Sequence, residues 1–416
     1  MENSKLKTRV VIIGAGIAGL RAAKELQSNG IEYIIFEKNK KPGGRIETIE
    51  KDGYMLDLGF QVLLDSYDEL PTALNLATLD IKSFDSGAII AQNGTKKFLF
   101  DPLQHPKKIL STIFSHPGNL NDIFKILAVS WKASKTNENF FKIRNVVNTA
   151  RYLQETGFSQ SIINGFFKPF FGGVFLETDL QIPSNYFLWL FNKFRKGNAC
   201  LPANGMGEIG NLMAKQLVEI RFEETVKNIV GHAVMLKSGI SIEAEWIVNA
   251  TGKQDLIFDH KTPNPADFRG TTTLYLKGKW QSGVSKSIVL IADPDSPILH
   301  FSFPSEVQKT YAPNGYCLCS VTLKWKGISP DTEKLAASTL KDLAKHYTSI
   351  DWNQFIYLAH FDIPYALPKW ESGNESTFLV EQNRITIGDH VAYPSINGAL
   401  RSGREGAEYL IRKIKG

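Results

Sequence analysis

The stretch Arg9–Leu26, RVVIIGAGIAGLRAAKEL, decides how the rest of the chain is read. Five residues of β-type composition, Arg9 to Ile13, lead into Gly14-Ala15-Gly16-Ile17-Ala18-Gly19. A helical pattern follows, with Leu20, Ala23 and Leu26 on one side. A strand, a glycine turn and a helix form the context that gives G-x-G-x-x-G meaning. Gly14 permits the tight turn, Gly16 lets the backbone approach a pyrophosphate, and Gly19 lets the helix pack on the strand. The free N–H groups and the positive end of the helix dipole then favour phosphate. Lys5, Lys7 and Arg9 ahead of an apolar run also suggest a secretory signal. Three glycines interrupt that run and no Ala-x-Ala-like cleavage site follows, so the signal reading is rejected.

After the helix, Asn29-Gly30 breaks the chain and Ile31–Phe36 reads as a second strand. It ends in Glu37, eighteen residues past Gly19. A carboxylate at that place suits a ribose diol and disfavours a 2′-phosphate.

Beyond Glu37 the chain reads KNKKPGGRIETIEKDGYMLDLGFQVLL. The order Glu37, Gly43-Gly44-Arg45, then Asp57-Leu58-Gly59 resembles the flavin amine oxidase superfamily, which includes amine oxidases, protoporphyrinogen oxidases and phytoene-desaturase-like enzymes. Three later stretches are similar to motifs of the same group. LPANGMGEIGNLMAKQL (Leu201–Leu217) resembles its Pro-x-Gly-Gly-Met helix start, with Asn204 in place of the first glycine. EETVKNIV resembles the strand whose valine, here Val226, meets the adenine. ITIGDHVAYPSINGALRSGREGAEYL resembles the closing flavin motif, with a helix beginning near Ile396.

The resemblance implies a noncovalent FAD, because the closing motif lacks the cysteine that attaches flavin in monoamine oxidases. It implies cofactor contacts from Gly14, Gly16, Ile17, Ala18, Gly19, Glu37, Lys38, Gly43, Gly44, Arg45, Gly59, Val226, Gly388, Asp389, Ser395, Ile396 and Ala399. Arg45 is expected against the phosphates, a role its planar fork suits. Asp389 is expected at the ribityl–pyrophosphate region, and Gln61 and Tyr393 are candidates to line the flavin. The implied fold class is α/β: a Rossmann-like FAD-binding domain, discontinuous over 1–65, 198–262 and 372–416, with an inserted α+β substrate domain over 66–197 and 263–371.

Length and composition agree with that layout. At 416 residues, two domains are the expectation. The fractions of 43% apolar and 22% charged residues are those of a globular chain. No apolar run reaches the ~20 residues of a membrane span. Cys200, Cys317 and Cys319 show no metal spacing and read as reduced structural thiols of a cytoplasmic protein. No metal or nucleic-acid partner is expected. GAIIAQNGTKKFLF reads as a hairpin turning at Asn93-Gly94. Helical patterns fill about 106–196. TTTLYL, SIVLIA, ILHFSF and YCLCSVTLKW read as strands, and DTEKLAASTLKDLAKHY as a helix capped near Asp331.

No triad, carboxylate pair or metal cluster stands out, as expected where a flavin carries the difficult step. His300 and His390 read as core or loop residues, or as cavity groups. Phe166–Phe175 reads either as core or as the wall of an apolar pocket. Ser395 stands three positions before Gly398-Ala399, where amine oxidases often carry a cage aromatic, and RGTTTLYL has no lysine before Lys277. These departures favour hydride removal from a hydrophobic, conjugated or cyclic substrate, with oxygen or a quinone as electron acceptor. The alternatives are an amine oxidase and a flavin-free lipid-binding protein like the GDP-dissociation inhibitors, the latter opposed by Gly43-Gly44-Arg45 and Gly388-Asp389.

Between 104 and 145, Lys107, Lys108, Lys125, Lys132, Lys135, Lys142 and Arg144 stand against only Asp122 and Glu138, in a chain of net charge +6. Leu120, Ile123, Phe124, Leu127 and Trp131 form one helical stripe. Two readings stay open: a peripheral contact with an anionic membrane, or a stripe buried in the substrate domain with solvated lysines beside it.

Overall fold

The structure, a computed structural model, describes residues 6–59, 61–100, 120–252, 265–328, 331–373 and 376–416. Its architecture is mixed α/β, organised on two large sheets. The strand Leu6–Ile13 sits inside the first. Val10, Val11, Ile12 and Ile13 are all buried, the continuous apolar run of a strand covered on both faces. It pairs in parallel with Tyr33–Phe36 on one side and Ser241–Asn249 on the other. Ile220–Arg221 and Arg384–Ile387 extend the parallel core. Three antiparallel strands complete eight: Val226–Val230, Ala233–Leu236 and Phe378–Glu381. The sheet thus draws on the start, middle and end of the chain.

The seven-stranded sheet runs Phe355–Pro368, Phe268–Lys279, Tyr316–Lys324, Ile298–Ser302, Ile288–Ile291, Gly87–Gln92 and Thr95–Phe100. The expected hairpin forms there, with Gln92 opposite Thr95. Asn93 and Gly94 both take positive φ, as the tight two-residue turn requires. Residues of alternating parity separate the two faces. Cys317, Cys319, Val321 and Leu323 face Leu343 and Tyr347 at the helix Thr332–His346. That helix is N-capped by the Asp331 side chain, which accepts from Lys334 N at 3.0 Å. The three cysteines are buried and unpaired with one another, and burial pushes the Cys200 and Cys317 thiols up to about 12.

The stretch Phe166–Phe175 serves both uses read from the sequence, split by helical period. Phe167, Phe171 and Phe175 are buried, and Phe171 meets Phe187 of the helix Ser184–Lys196 edge to face at 4.8 Å. One step round the helix, Phe170 and Val174 border the cavity described below.

The basic amphipathic segment departs from the buried-stripe reading. In the helix Leu120–Ser134, Phe124 is 71% exposed, Leu127 44% and Trp131 65%. The buried face is instead Asp122, Val129, Ser130 and Ala133. Residues 104–119, with Lys107 and Lys108, lie outside the described residues.

The C-terminal helix Ile396–Lys415 crosses the helix Ile17–Ser28 closely. A Cβ on Gly403 would lie 2.3 Å from Ala18 O, so only glycine allows this approach. Beside the crossing, Arg404 donates from Nε and Nη2 to the two carboxylate oxygens of Glu69 at 2.9 and 2.6 Å. Its Nη1 reaches Glu408 at 3.0 Å. Glu69 is buried, so removing the guanidinium would strand its charge. Arg404→Leu is expected to lower stability by about 3 kcal/mol, the low end for a broken buried pair because Arg404 keeps some solvent contact. Urea unfolding of the holoenzyme measures it; Arg404→Lys should recover only part, lacking the bidentate fork.

Candidate functional site

Strand Leu6–Ile13 delivers the chain to Gly14, whose φ of +101° is open to glycine. The turn continues through Gly16 into the helix Ile17–Ser28. Gly19 faces inward: a Cβ there would sit 2.1 Å from Gly14 O and 3.1 Å from Ala250 Cβ. It fixes helix against strand and does not border the cavity, so its role is packing and not cofactor contact.

Gly16 is the opposite case. Its backbone (φ −70°, ψ 171°) suits any residue, and a Cβ would meet no protein atom within 4 Å. Nothing in the polypeptide demands glycine there; the space beside it belongs to the cavity. Gly43 bridges to Gly16 and donates from its N–H to Ala15 O at 2.8 Å. The Gly-Gly-Arg loop is thereby laid along the first turn.

The cavity so framed has a volume of about 800 Å³. Its walls bring together Gly14, Gly16, Ile17, Ala18, Glu37, Lys38, Gly43, Gly44, Arg45, Gly59, Gln61, Val226, Gly388, Asp389, Ser395, Ile396 and Ala399. Glu37 is buried, and its Oε2 and Oε1 accept from Ala15 N and Asn39 N, each at 2.8 Å. A carboxylate offers about four acceptor sites, so capacity remains for a diol. Arg45 pairs through Nη2 with Asp389 and donates from Nη1 to Ala366 O at 3.3 Å. Gln61 Nε2 donates to Arg45 O at 2.9 Å and Leu58 O at 3.0 Å, fixing the loop ahead of it. Ser395 caps the C-terminal helix, accepting from Gly398 N at 2.9 Å, and the helix start at Ile396 faces the cavity.

One sequence candidate besides Gly19 lies elsewhere. Tyr393 is fully buried in an aromatic cluster with Phe141 and Trp189, and its hydroxyl accepts from Asn397 Nδ2 at 3.0 Å. It therefore packs the core and does not line the cavity. Asp57 turns away from the cavity while Leu58 and Gly59 line it. Its carboxylate accepts from Thr48 Oγ1, Met206 N and Tyr311 Oη at 2.5, 2.9 and 2.8 Å, and burial raises its pKa.

The structure adds residues that sequence reasoning passed over. A Cβ on Gly210 would lie 2.6 Å from Gly43 Cα, so the helix Glu208–Ala214 rests directly on the Gly-Gly-Arg loop. Away from the glycine-rich end, the chamber is walled by Phe170, Val174, Leu176, Leu190, Phe194, Ile288 and Leu290. His300 and Thr322 sit among them. Burial pushes the His300 imidazole down to about 4, so it is neutral at neutral pH. Among the described residues no group of His, Cys, Asp and Glu forms a metal site.

This donor set fits a flavin dinucleotide: a cradle that a Cβ on Gly16 would fill, two helix N-termini, a buried carboxylate, and an apolar chamber beyond. A family model described as "Flavin containing amine oxidoreductase" matches residues 17–255. The 4,4'-diapophytoene desaturase (4,4'-diaponeurosporene-forming) of Staphylococcus aureus (strain Newman) is 42% identical over 67 residues. That stretch is 16% of this chain and only 13% of the desaturase. Wild-type putrescine oxidase bound to putrescine aligns with a TM-score of 0.74 at 14% identity, over 98% of this chain and 100% of that one. A proposed protoporphyrinogen oxidase from Exiguobacterium sp. 255-15 aligns at 0.72 and 16% identity, over 99% of each chain. At such identities the structural likeness concerns the fold alone.

The two glycines of the first turn separate binding from folding. Gly16→Val is expected to give a colourless protein whose circular dichroism and unfolding midpoint match those of wild type stripped of cofactor. Gly19→Val is expected to unfold earlier, because its side chain meets backbone. Glu37→Ala should weaken cofactor binding by about 1–3 kcal/mol, measured by fluorescence titration of the stripped protein with FAD.

Proposed function

The chain belongs to the flavin containing amine oxidoreductase family and is an FAD-dependent enzyme, and on that premise we propose that it oxidises a hydrophobic, conjugated or cyclic small molecule. The observation that carries this reading is the continuity of one cavity from the glycine-lined end to a chamber walled by Phe170, Val174, Leu176, Leu190, Phe194, Ile288 and Leu290. FAD, when bound by these residues, would supply a two-electron acceptor. The polypeptide supplies position and dryness. The apolar walls exclude water, and the helix start at Ile396 directs N–H groups into the cavity. Oxygen or a quinone is the acceptor class that returns the flavin to its oxidised form. Chemistry of the protoporphyrinogen-oxidase or desaturase type accords with this chamber.

The amine-oxidase reading has less support. Ser395 is committed to capping its helix. Lys277 is held outside the cavity by Asp52 at 2.8 Å. Asp362, the carboxylate on the sheet side of the cavity, accepts from Thr272 Oγ1 at 2.5 Å and lies 3.8 Å from His360 Nε2. A protonated amine would therefore share that counter-charge with groups already bound to it. Anaerobic bleaching of the flavin absorbance tests both readings: polyenes or porphyrinogens are expected to reduce it, while benzylamine and spermine leave it oxidised. Rapid bleaching by an amine would reverse the order of the two.

Peripheral membrane contact is part of the same proposal. No helix among the described residues is long and apolar enough to cross a membrane. Phe124, Leu127 and Trp131 instead project from one helix that carries Lys125 and Lys132, with Lys135 one residue past its end. An interfacial helix buries such aromatics at the acyl boundary and holds lysines at anionic head groups, about 1 kcal/mol each. The holoenzyme is expected to sediment with phosphatidylglycerol vesicles at low salt, and to stay in solution with phosphatidylcholine vesicles or at high salt. Phe124→Ser/Trp131→Ser should abolish sedimentation without changing flavin content.

A further inference from the structure

The chamber wall holds a polar feature that contact with hydrocarbon does not explain. On the cavity face of the seven-stranded sheet, His300 lies directly opposite Thr322 on the neighbouring strand. Cross-strand partners place their Cβ atoms about 5 Å apart, so one small group can reach both. Thr322 is 1% exposed, borders the cavity, and its Oγ1 has no hydrogen-bond partner. A buried hydroxyl left in that condition is destabilising relative to one that is bonded. Valine has nearly the same shape and would avoid that cost, so folding alone gives no reason for threonine.

The surroundings restrict what completes the bond. The cationic side chains lining the cavity are Lys38 and Arg45, both at the glycine-rich end. A carboxylate beside Thr322 would be buried with no positive partner, a costly arrangement. An ammonium would have to share Asp362, already engaged by Thr272. His300 is neutral and so brings no charge to this part of the wall. Gly173 holds the helix wall close to this ring; a Cβ there would fall 2.7 Å from His300 Nδ1. The imidazole is thus boxed in place and cannot swing away from the strand.

We propose that Thr322, beside the neutral ring of His300, forms a subsite for a neutral oxygen group, a hydroxyl or a carbonyl, carried on an otherwise apolar substrate. This inference rests on the proposed function and narrows it: the substrate is an oxygenated apolar molecule and not a pure hydrocarbon. Thr322 acts in specificity, not in the redox step.

The test uses holoenzyme and two matched probes, farnesol and the hydrocarbon that lacks only its hydroxyl, with binding read from perturbation of the flavin absorbance. Wild type is expected to bind farnesol about tenfold more tightly than the hydrocarbon, the scale of one buried hydrogen bond. Thr322→Val should bring that ratio close to one while leaving the hydrocarbon's affinity unchanged, and Thr322→Ser should restore most of it. The same Val variant should unfold no earlier than wild type, because it removes a hydroxyl that the protein leaves unbonded. Equal affinity of the two probes for wild type, or an equal loss of both in Thr322→Val, would overturn the subsite and leave the apolar chamber standing. Failure of both probes to bind wild type would instead overturn the apolar-substrate reading together with the subsite.

Discussion

Backbone passes backbone at the centre of this protein at distances that no side chain tolerates. The first turn is bridged by Gly43, which donates to Ala15 O at 2.8 Å. On its far side Gly43 is met by Gly210, where an added Cβ would come within 2.6 Å of its Cα. A third pass, the C-terminal helix, crosses the first helix where a Cβ on Gly403 would fall 2.3 Å from Ala18 O. Each contact joins segments far apart in the chain. Together they stack the first turn, the Gly-Gly-Arg loop and two helices into one wall. The cavity's shape follows from that stacking, because a wall of bare backbone can approach a ligand's phosphates and present N–H groups to them. A side chain at Gly210 or Gly403 would hold the layers apart.

What was legible in the sequence is what depends on short spacing. The turn at Gly14–Gly19, the carboxylate at Glu37, the loop at Gly43–Arg45 and the helix start at Ile396 each carry their reason within a few residues. The strands and the Asn93-Gly94 hairpin were legible for the same cause. Gly210 was not, because its reason is Gly43, more than a hundred residues away. Tyr393 shows the converse error. Its neighbours in the sequence line the cavity, yet its ring turns into a cluster assembled from Phe141 and Trp189. Which way a side chain points from a loop depends on partners the local sequence does not name.

The helix Leu120–Ser134 makes this point in energetic terms. Its sequence carries two stripes, one of large apolar residues and one made of Asp122, Ile126, Val129, Ser130 and Ala133. Hydrophobicity alone favours burying the first. The second is chosen because small residues admit close helix packing and because Asp122 has work inside. Its fully buried carboxylate accepts from Ser159 N and Oγ at 2.9 and 2.6 Å, tying this helix to the next turn. Rotating the helix to hide Phe124 and Trp131 would break those bonds and leave a charge without partners. One acidic residue therefore turns the apolar stripe outward. It also removes from the surface one of the two negative charges that the sequence sets against the lysines there.

The same reasoning accounts for the polarity of the cavity. The cationic side chains are confined to the glycine-rich end, where Arg45 and Asp389 neutralise one another across the first and last segments of the chain. Arg45 commits only part of its five-donor fork to Asp389 and Ala366, so donors remain for an anion placed beside it. The pairing keeps the guanidinium aligned before any ligand arrives, and the ordering entropy of a long side chain is met at folding, not at binding. At the other end, sheet residues of one parity face the helical aromatic layer, and the side chains there are mostly apolar. Polar atoms in that region stand out against a low dielectric, where a single hydroxyl or neutral imidazole discriminates strongly between ligands that pair with it and ligands that do not. Specificity in such a chamber is set by a few isolated polar positions on a rigid sheet, while affinity comes from the apolar wall around them.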